Sequence, residues 1–219
     1  MKKSFLSLFV LAAFTFTSCK EEPKEITEPI DAAVASEDSN SFKVDTDKSV
    51  IEWIGSKPTE KHNGTISLAS GEIFLNNGKV ESGNFTIDMA SITVLDLKPG
   101  DGKEDLEAHL KGLQKEEDAD HFFNTKKFPE AKFELTSVET VEGKTKMNGN
   151  LTIKGISKPV SFPALLTVDG DTLNLSSEAF MINRTEWGVN YASKSIFDNL
   201  KDKFVNDDIE LKVKLTATK

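Results

Sequence analysis

The sequence is short of the residues from which disulfide frameworks and multi-cysteine metal sites are built. It has 219 residues and a single cysteine, so the chain alone forms no internal disulfide and no zinc or iron–sulfur site that needs several thiolates. Basic residues are outnumbered, with 27 Lys and Arg against 36 Asp and Glu and a net charge of −9. Because nucleic-acid binding needs a basic face, we expect no nucleic-acid partner.

Motifs for common enzymatic chemistry are also missing. The three histidines, His62, His109 and His121, lack the i, i+4 spacing of a helical zinc site, and there is no H-E-x-x-H sequence. The chain has no G-x-S-x-G elbow, no P-loop and no complete G-x-G-x-x-G fingerprint. We therefore predict no catalytic residue, no metal site and no cofactor.

An apolar run stands near the N-terminus. Two lysines precede a largely apolar stretch over residues 5–16, which is typical of a secretory signal and is shorter than the roughly 20 residues that span a bilayer. The residues that follow, ending at Cys19, resemble a bacterial lipobox, in which the cysteine is acylated and the chain is cut before it. We predict a lipoprotein signal peptide at residues 1–18 and lipidation at Cys19. A plain signal peptide with a free cysteine and a buried apolar helix are the alternatives.

Residues 19–41 have the composition of a linker. They are rich in acidic residues, include two prolines and offer little that could pack, which predicts an acidic, disordered tether. Lys20-Glu21-Glu22 resembles an export signal of some Gram-negative lipoproteins of the Bacteroidetes type, and a merely solvated linker is the alternative. We expect an exported protein of the cell envelope, lipid-anchored at the outer membrane or cell surface rather than the inner membrane.

Residues 42–219 form one predicted domain of alternating strands. Ile209, Leu211, Val213 and Leu215 alternate with charged residues, which is typical of an antiparallel strand with one solvated face. Similar runs separated by turn signals such as Asn77-Gly78 indicate about eight to ten strands, arranged as a sandwich or a closed barrel. Closure removes edge strands, so we predict an all-β, antiparallel up-and-down β-barrel.

One segment of the domain departs from this alternation. Leu106, His109, Leu110 and Leu113 stand at helical spacing, which predicts one amphipathic helix near residues 104–117. A second, short helix is expected around residues 196–204. Phe122 and Phe123 follow the first helix, where they would either plug the barrel or gate its mouth.

Several short motifs follow one another along the domain. They are Val50-Ile51-Glu52-Trp53, His62-Asn63-Gly64, Phe128-Pro129-Glu130-Ala131, Gly149-Asn150-Leu151-Thr152 and Asn183-Arg184-Thr185-Glu186-Trp187. Their order over residues 42–217 resembles the YceI-like family of polyisoprenoid-binding proteins. The resemblance implies a lipocalin-like barrel with a helix over one end, a long isoprenoid or similar amphiphile inside, and no general catalytic activity. A lengthened approach to the helix at residues 98–105 departs from the family pattern, so the mouth is expected to differ.

The candidate ligand site has an apolar lining and a few polar residues. Strand phase and position assign to the lining the side chains of Trp53, Phe133, Leu151, Ile153, Phe162, Met181, Phe122 and Phe123. Such side chains could equally fill a small barrel and leave no cavity.

The head-group candidates are Lys57, His62 and Arg184. Lys57 and His62 share a loop that could attract a phosphate or pyrophosphate, unless the loop is merely solvated. Arg184 is the only arginine, and its planar fork suits an anionic head group or a carboxylate; the structural alternative is an ion pair with an acid such as Asp88. His109 is expected to be a satisfied, partly buried histidine.

The predicted function follows from the apolar interior of the barrel, from the family resemblance and from the anchor. We predict a lipid-anchored protein that sequesters or carries a polyisoprenoid, quinone or fatty-acyl amphiphile in the barrel interior. Its partners would be that long-chain amphiphile and the membrane that holds the anchor. Two other classes stay open. One is an enzyme acting on a bound lipid or quinone with His62 or His109 as acid–base, and the other is a surface interaction module with a filled barrel.

Overall fold

Ten strands dominate the part of the chain that the computed structural model describes, residues 28–141 and 144–219. They are β1 (Asn40–Val44), β2 (Val50–Ser56), β3 (Lys61–Asn76), β4 (Lys79–Val94), β5 (Glu130–Val141), β6 (Lys144–Ile153), β7 (Ile156–Asp169), β8 (Thr172–Ser177), β9 (Phe180–Asn183) and β10 (Asp208–Thr218). The helix α1 spans Lys103–Lys111, and short 3₁₀ turns span Glu116–Asp118, Arg184–Trp187 and Lys201–Lys203. The predicted signal peptide and Cys19 lie outside the described residues.

The strands form an antiparallel sheet that closes on itself. Strands β2 to β8 pair in sequence order, and β10 completes the ring by pairing with β8 on one side and β2 on the other. Strand β9 continues the line of β8 beside β10, while β1 pairs with both β3 and β10. This topology confirms the predicted all-β, antiparallel barrel with a helix.

Alternation of apolar and charged residues sets the inside and the outside of the barrel. Ile51 and Trp53 of β2 are buried in the interior, whereas Glu52 between them faces solvent. Lys214 of the neighbouring strand β10 meets Glu52 on that outer face, with 2.5 Å between Nζ and Oε1. The dry inner face drives closure, since buried apolar surface contributes about 25 cal/mol per Å².

An interruption between β8 and β9 reverses the predicted phase of β9. Strand β8 ends at Ser177 and β9 begins at Phe180, so two residues lie between the strands. As a result Ile182 is buried, whereas Met181 is 55% exposed. The prediction that Met181 faces the interior is wrong, because a period of two does not continue across the interruption.

The helix α1 is shorter than the predicted helix at residues 104–117. It ends at Lys111 because Gly112 adopts a left-handed conformation with φ of 71°, and Leu113 beyond it is exposed. In the region of the second predicted helix, only Lys201–Lys203 forms a 3₁₀ turn, so the helix predicted at residues 196–204 is wrong. Within residues 28–141 and 144–219, no helix is long and apolar enough to cross a membrane.

Part of the predicted linker is bound to the barrel. The amide of Ala33 donates to the carbonyl of Leu135 (2.8 Å), and the hydroxyl of Ser82 donates to the carbonyl of Ala33 (2.7 Å). Residues 30–36, called the strap below, therefore make specific contacts where a disordered tether was expected. Residues 19–27 of that tether lie outside the described residues, and its last two residues, Asn40 and Ser41, belong to β1.

Candidate functional site

Two neighbouring apolar cavities lie inside the described part of the barrel. The upper cavity, beneath α1, has a volume of about 150 Å³, and the lower cavity, deeper in the barrel, has a volume of about 80 Å³. The side chains of Ile51, Ile87, Leu151 and Leu211 border both. The cavities therefore adjoin, and the barrel is hollow rather than filled.

The predicted lining residues divide between the two cavities. The upper cavity is lined by Trp53, Ile153, Phe122, Phe123 and Leu151, and the lower cavity by Phe133, Phe162 and Leu151. Met181 lines neither cavity, because it lies on the outer face of β9. For the others the inward position is confirmed, and their contact with a ligand stays a prediction.

A lid, formed by α1 and residues 112–124, covers the upper cavity. Leu106 and Leu110 of α1 and both Phe122 and Phe123 line the cavity from this side. The lid is joined to β4 by a hydrogen bond from the amide of Val94 to the Glu107 carboxylate (2.8 Å). Phe122 and Phe123 thus lie at the covered end of the barrel, a position from which they could either plug the barrel or gate its mouth.

The lid rests on a cluster of aromatic rings. His109 Nε2 and His121 Nδ1 share a hydrogen bond of 3.1 Å, and the ring centroid of Tyr191 lies 4.7 Å from that of His109 and 4.3 Å from that of His121. Burial, and then the nearby His121, lower the pKa of His109, whereas Asp118 acts in the opposite direction. The prediction of a satisfied, partly buried His109 is confirmed.

Polar side chains gather along one side of the upper cavity. Ser56 and Lys57 at the end of β2, His62 at the start of β3, Arg184 in the turn after β9 and Asn206 in the segment before β10 all line it. The structure therefore brings together the three predicted head-group residues. Ser56 and Asn206 are joined by a hydrogen bond of 2.8 Å, which the sequence pattern gave no signal to predict.

Lys57 and His62 are each paired with a carboxylate. Lys57 Nζ lies 2.5 Å from a Glu60 carboxylate oxygen, and His62 Nδ1 lies 2.9 Å from Asp96 Oδ2. Burial raises the pKa of Asp96, but hydrogen bonds from the Asn63 amide and from His62 outweigh burial and hold that pKa below its usual value. Asp96 is therefore an ionised partner for His62 at neutral pH.

Arg184 is held by the protein itself. Its guanidinium donates to the carbonyls of Asn206 (3.0 Å), Val189 (2.5 Å) and Val205 (3.0 Å). Its Nη2 lies 3.5 Å from Asp207 Oδ1, so the structural alternative of an ion pair with an acid is present, and the acid is Asp207 rather than Asp88. The residue is 2% exposed. The arginine thus ties the segment before β10 to the turn after β9.

Trp53, which lines the upper cavity, leaves its buried indole nitrogen without a partner. Its indole packs on Gly64, where an added Cβ would lie 2.6 Å from the ring and 1.8 Å from the Thr93 carbonyl oxygen, so a larger residue does not fit. Among the described residues, Trp53 Nε1 has no hydrogen-bond partner. A buried donor without a partner is costly, so the indole would gain a hydrogen bond from any acceptor brought within reach of Nε1.

Several lining residues were missed by the sequence reasoning. Ile87 and Met89 alternate along β4 and line the upper cavity, so their periodicity could have identified them. Ile182 could be found only by recognising the interruption before β9. Val205 lies outside the strands and helices and carries no such signal.

A closed antiparallel barrel with an apolar interior and a few polar groups at one end defines the class of barrels that enclose small apolar ligands. In the described part of the chain, no group of three or more His, Cys, Asp or Glu side chains is placed to hold a metal ion. The chain belongs to the family of the YceI-like domain, which matches residues 42–217.

The relatives share this domain at modest identity. Protein YceI of Salmonella arizonae is 31% identical over 88 residues, a match that spans 40% of this chain and 42% of that protein. BcnA of Burkholderia cenocepacia superposes with a TM-score of 0.60 at 23% identity, covering 80% of this chain and 99% of that chain. A polyisoprenoid binding domain of Saccharophagus degradans, implicated in plant cell wall breakdown, gives 0.55 at 10% identity, covering 81% and 97%. At these identities the two superpositions show a shared fold.

Proposed function

We propose that this protein binds one long-chain amphiphile, a polyisoprenoid, quinone or fatty-acyl lipid, and sequesters or carries it inside the barrel. The observation that carries the proposal is the pair of adjoining cavities, apolar throughout the lower one and bordered by polar side chains along one side of the upper one. A tail in the lower cavity and a head beside Ser56, Lys57 and His62 would match this gradient. The polyisoprenoid binding domain with the same fold adds support.

We further propose that the head group is neutral. The basic side chains at the upper cavity already have carboxylate partners, since Lys57 pairs with Glu60 and His62 with Asp96. Arg184 is held by three backbone carbonyls. A phosphate would have to displace these partners, whereas an alcohol, phenol or quinone oxygen could accept a hydrogen bond from Trp53 Nε1 without displacing any of them.

Two ligands that differ only in the head group test this proposal. Geranylgeraniol and geranylgeranyl phosphate are titrated into the protein while tryptophan fluorescence is followed, because Trp53 lines the upper cavity and Trp187 does not. We expect the alcohol to bind at least about tenfold more tightly, which corresponds to about 1.4 kcal/mol. Trp53→Phe is the control for the origin of the signal. Tighter binding of the phosphate would refute the neutral head group.

The native ligand is identified separately by native mass spectrometry of protein purified from its own host. A bound amphiphile in a one-to-one ratio is the expected result. If no amphiphile is found and neither prenyl compound binds, the carrier function is wrong. An enzyme acting on a bound lipid has less support, because His109 is engaged by His121. A surface interaction module with a filled barrel also has less support, because the cavities leave the barrel hollow.

We propose that Cys19 carries the lipid that anchors the protein to the outer membrane or cell surface. The apolar run at residues 5–16 and the motif before Cys19 support this, and both lie outside the described residues. Cys19→Ser is expected to move the protein from the membrane fraction to the soluble fraction, whereas Ser18→Ala should leave it in the membrane fraction. Unchanged membrane attachment of Cys19→Ser would refute the anchor.

A further inference from the structure

The wall of the barrel contains a seam between β4 and β5. The paired register of these strands runs only from Asn84 with Glu134 to Asp88 with Glu130. Strand β4 begins five residues earlier, at Lys79, and β5 continues beyond the register to Val141. The seam is the interval where residues 79–83 of β4 and residues 135–141 of β5 are not paired with each other. A barrel needs continuous pairing to be closed at every height, so this interval needs another element to cover it.

The strap covers the seam. Its Ala33 bridges the two strands, because its amide donates to the Leu135 carbonyl of β5 (2.8 Å) and its carbonyl accepts from the Ser82 hydroxyl of β4 (2.7 Å). The side-chain amide of Asn150 donates to the Ile30 carbonyl (2.6 Å) and accepts from the Ile30 amide (3.3 Å). Ser36 closes the other end through two hydrogen bonds to Glu81 (2.9 and 2.6 Å).

These contacts hold the strap by its backbone and by short polar side chains, with little apolar burial. Ile30 and Val34, its large apolar residues, are 45% and 89% exposed. Segments with few buried apolar contacts and solvent-exposed hydrogen bonds open at a small fraction of the global unfolding free energy. The strap is therefore suited to undock while the rest of the barrel stays folded.

The seam begins beside the lower cavity. Phe85 of β4 pairs with Phe133 of β5, next to Asn84–Glu134, the last pair of the register before the seam. Both phenylalanines line the lower cavity. Their ring centroids are 6.2 Å apart. Leu135, whose carbonyl binds the strap, has no exposed surface. Undocking of the strap would expose this part of the wall and leave the two phenylalanine rings between the lower cavity and solvent.

We propose that the seam is a side portal to the lower cavity, closed by the strap, through which the apolar end of a long ligand chain enters or extends. The proposal deepens the proposed function, since it assigns a second route to the same interior. The portal lies at the opposite end of the barrel wall from the lid, so a chain longer than the cavities would not need to fold back beneath the lid.

A thiol reporter in each cavity tests the portal without any ligand. In the full chain carrying Cys19→Ser, Met147→Cys places a reporter in the lower cavity and Met89→Cys places one in the upper cavity. Asn150→Ala removes the two hydrogen bonds to Ile30, and its matched control is Asn148→Ala, two residues away on β6, which bonds to Ser137, Glu139 and Ser161 instead. The rate of reaction with a small maleimide is measured in each combination.

Asn150→Ala is expected to raise the labelling rate of the Met147→Cys reporter about tenfold, the size expected for the loss of hydrogen bonds that favour docking. The Met89→Cys reporter and the Asn148→Ala control should be unchanged. An unchanged rate at Met147→Cys, or an equal rise at both reporters, would overturn the portal. Ser82→Ala, which removes one bond to the strap, gives the same comparison if Asn150→Ala does not fold. Since labelling needs no ligand, failure of lipid binding would leave this result intact.

Discussion

At the scale of single residues, Arg184 explains how a turn and a distant segment are fixed beside the cavity. Its three donors reach the carbonyls of Val189, Val205 and Asn206, which belong to two segments of irregular backbone. Buried carbonyls of irregular backbone need partners that no sheet supplies. A planar fork with five N–H donors satisfies several of them at once, which a lysine cannot do. This accounts for a single arginine in a chain whose other basic residues are lysines.

Arg184→Lys is therefore expected to destabilise the protein although the charge is kept. Lysine would leave buried carbonyls unpaired, and we expect the free energy of unfolding to fall by about 3–5 kcal/mol. The control is Lys214→Ala, which removes the exposed pair with Glu52 and should cost about 0–1 kcal/mol. Urea denaturation of both variants gives the comparison. A loss of less than about 1 kcal/mol at Arg184 would contradict the structural role.

The chemistry of Arg184 could be predicted from the sequence only in part. As the only arginine, it was recognised as a residue whose planar guanidinium makes several hydrogen bonds. Nothing in the neighbouring sequence indicated that the acceptors would be backbone carbonyls rather than a ligand. Its acidic neighbour, Asp207, is 23 residues away in sequence, so the pairing depends on the closure of the barrel. Lys57 and His62 were placed correctly at the cavity because they flank one hairpin turn between β2 and β3.

At the scale of elements, the lid is coupled to pH through His109. Its neutral ring shares a hydrogen bond with His121 and contacts Phe122 and Tyr191, with ring centroids 5.0 and 4.7 Å from its own. Protonation of both histidines would place two cations at a contact of 3.1 Å, with one carboxylate, Asp118, beside His121. The lid is therefore expected to dock best with His109 neutral.

The pH dependence of stability should reflect this. The pKa of His109 is lowered in the folded protein from its ordinary value of 6.5. Just below pH 6.5 the unfolded chain therefore binds more protons at this residue than the folded protein does. Stability from this group is fully present above about pH 6.5 and is lost as the pH falls through the folded pKa. Denaturation measured between about pH 7.5 and 5 should show this loss in the wild type and a smaller one in His109→Phe.

The matched variant keeps an aromatic ring at position 109 and removes only the titrating group. Carboxylates with lowered pKa values, such as Asp96 and Asp207, act in a separate window, since their contribution is lost only below about pH 4. An equal pH slope in the wild type and in His109→Phe above that window would contradict the coupling.

The elements themselves were predictable to different degrees. Long alternating strands such as β10 were recognised because one period of two continues without interruption, and Leu106 and Leu110 located α1. The end of α1 was missed because the apolar spacing runs on to Leu113, while Gly112 ends the helix before it. Docking of the strap could not be predicted from composition, because its partners, Ser82, Leu135 and Asn150, are contributed by three different strands.

At the scale of the whole molecule, closure of the sheet was predictable and the hollow interior was not. Alternating strands with turn signals define an inner face, and closure removes the sheet edges. Whether inward side chains meet at the axis depends on how the strands tilt and separate, which no local pattern records. Phe133 and Phe162, for example, could have filled the lower part of the barrel, yet their ring centroids are 5.6 Å apart and they border a cavity.

The junction between the cavities decides whether one ligand can occupy both. Leu151 borders both cavities, so Leu151→Phe should narrow the passage while leaving most of the upper cavity open. Geranylgeraniol, which needs both cavities, is expected to lose about tenfold or more in affinity, whereas the shorter geraniol should change by less than about threefold.

Leu165→Phe, on the outer face where Leu165 is 69% exposed, is the control for the substitution. Competition for a fluorescent apolar probe measures both affinities, and thermal melting checks that the extra volume has not unfolded the barrel. Equal losses for the two alcohols would mean that the lower cavity does not receive the tail, because a ligand confined to the upper cavity would not distinguish chain lengths at this junction.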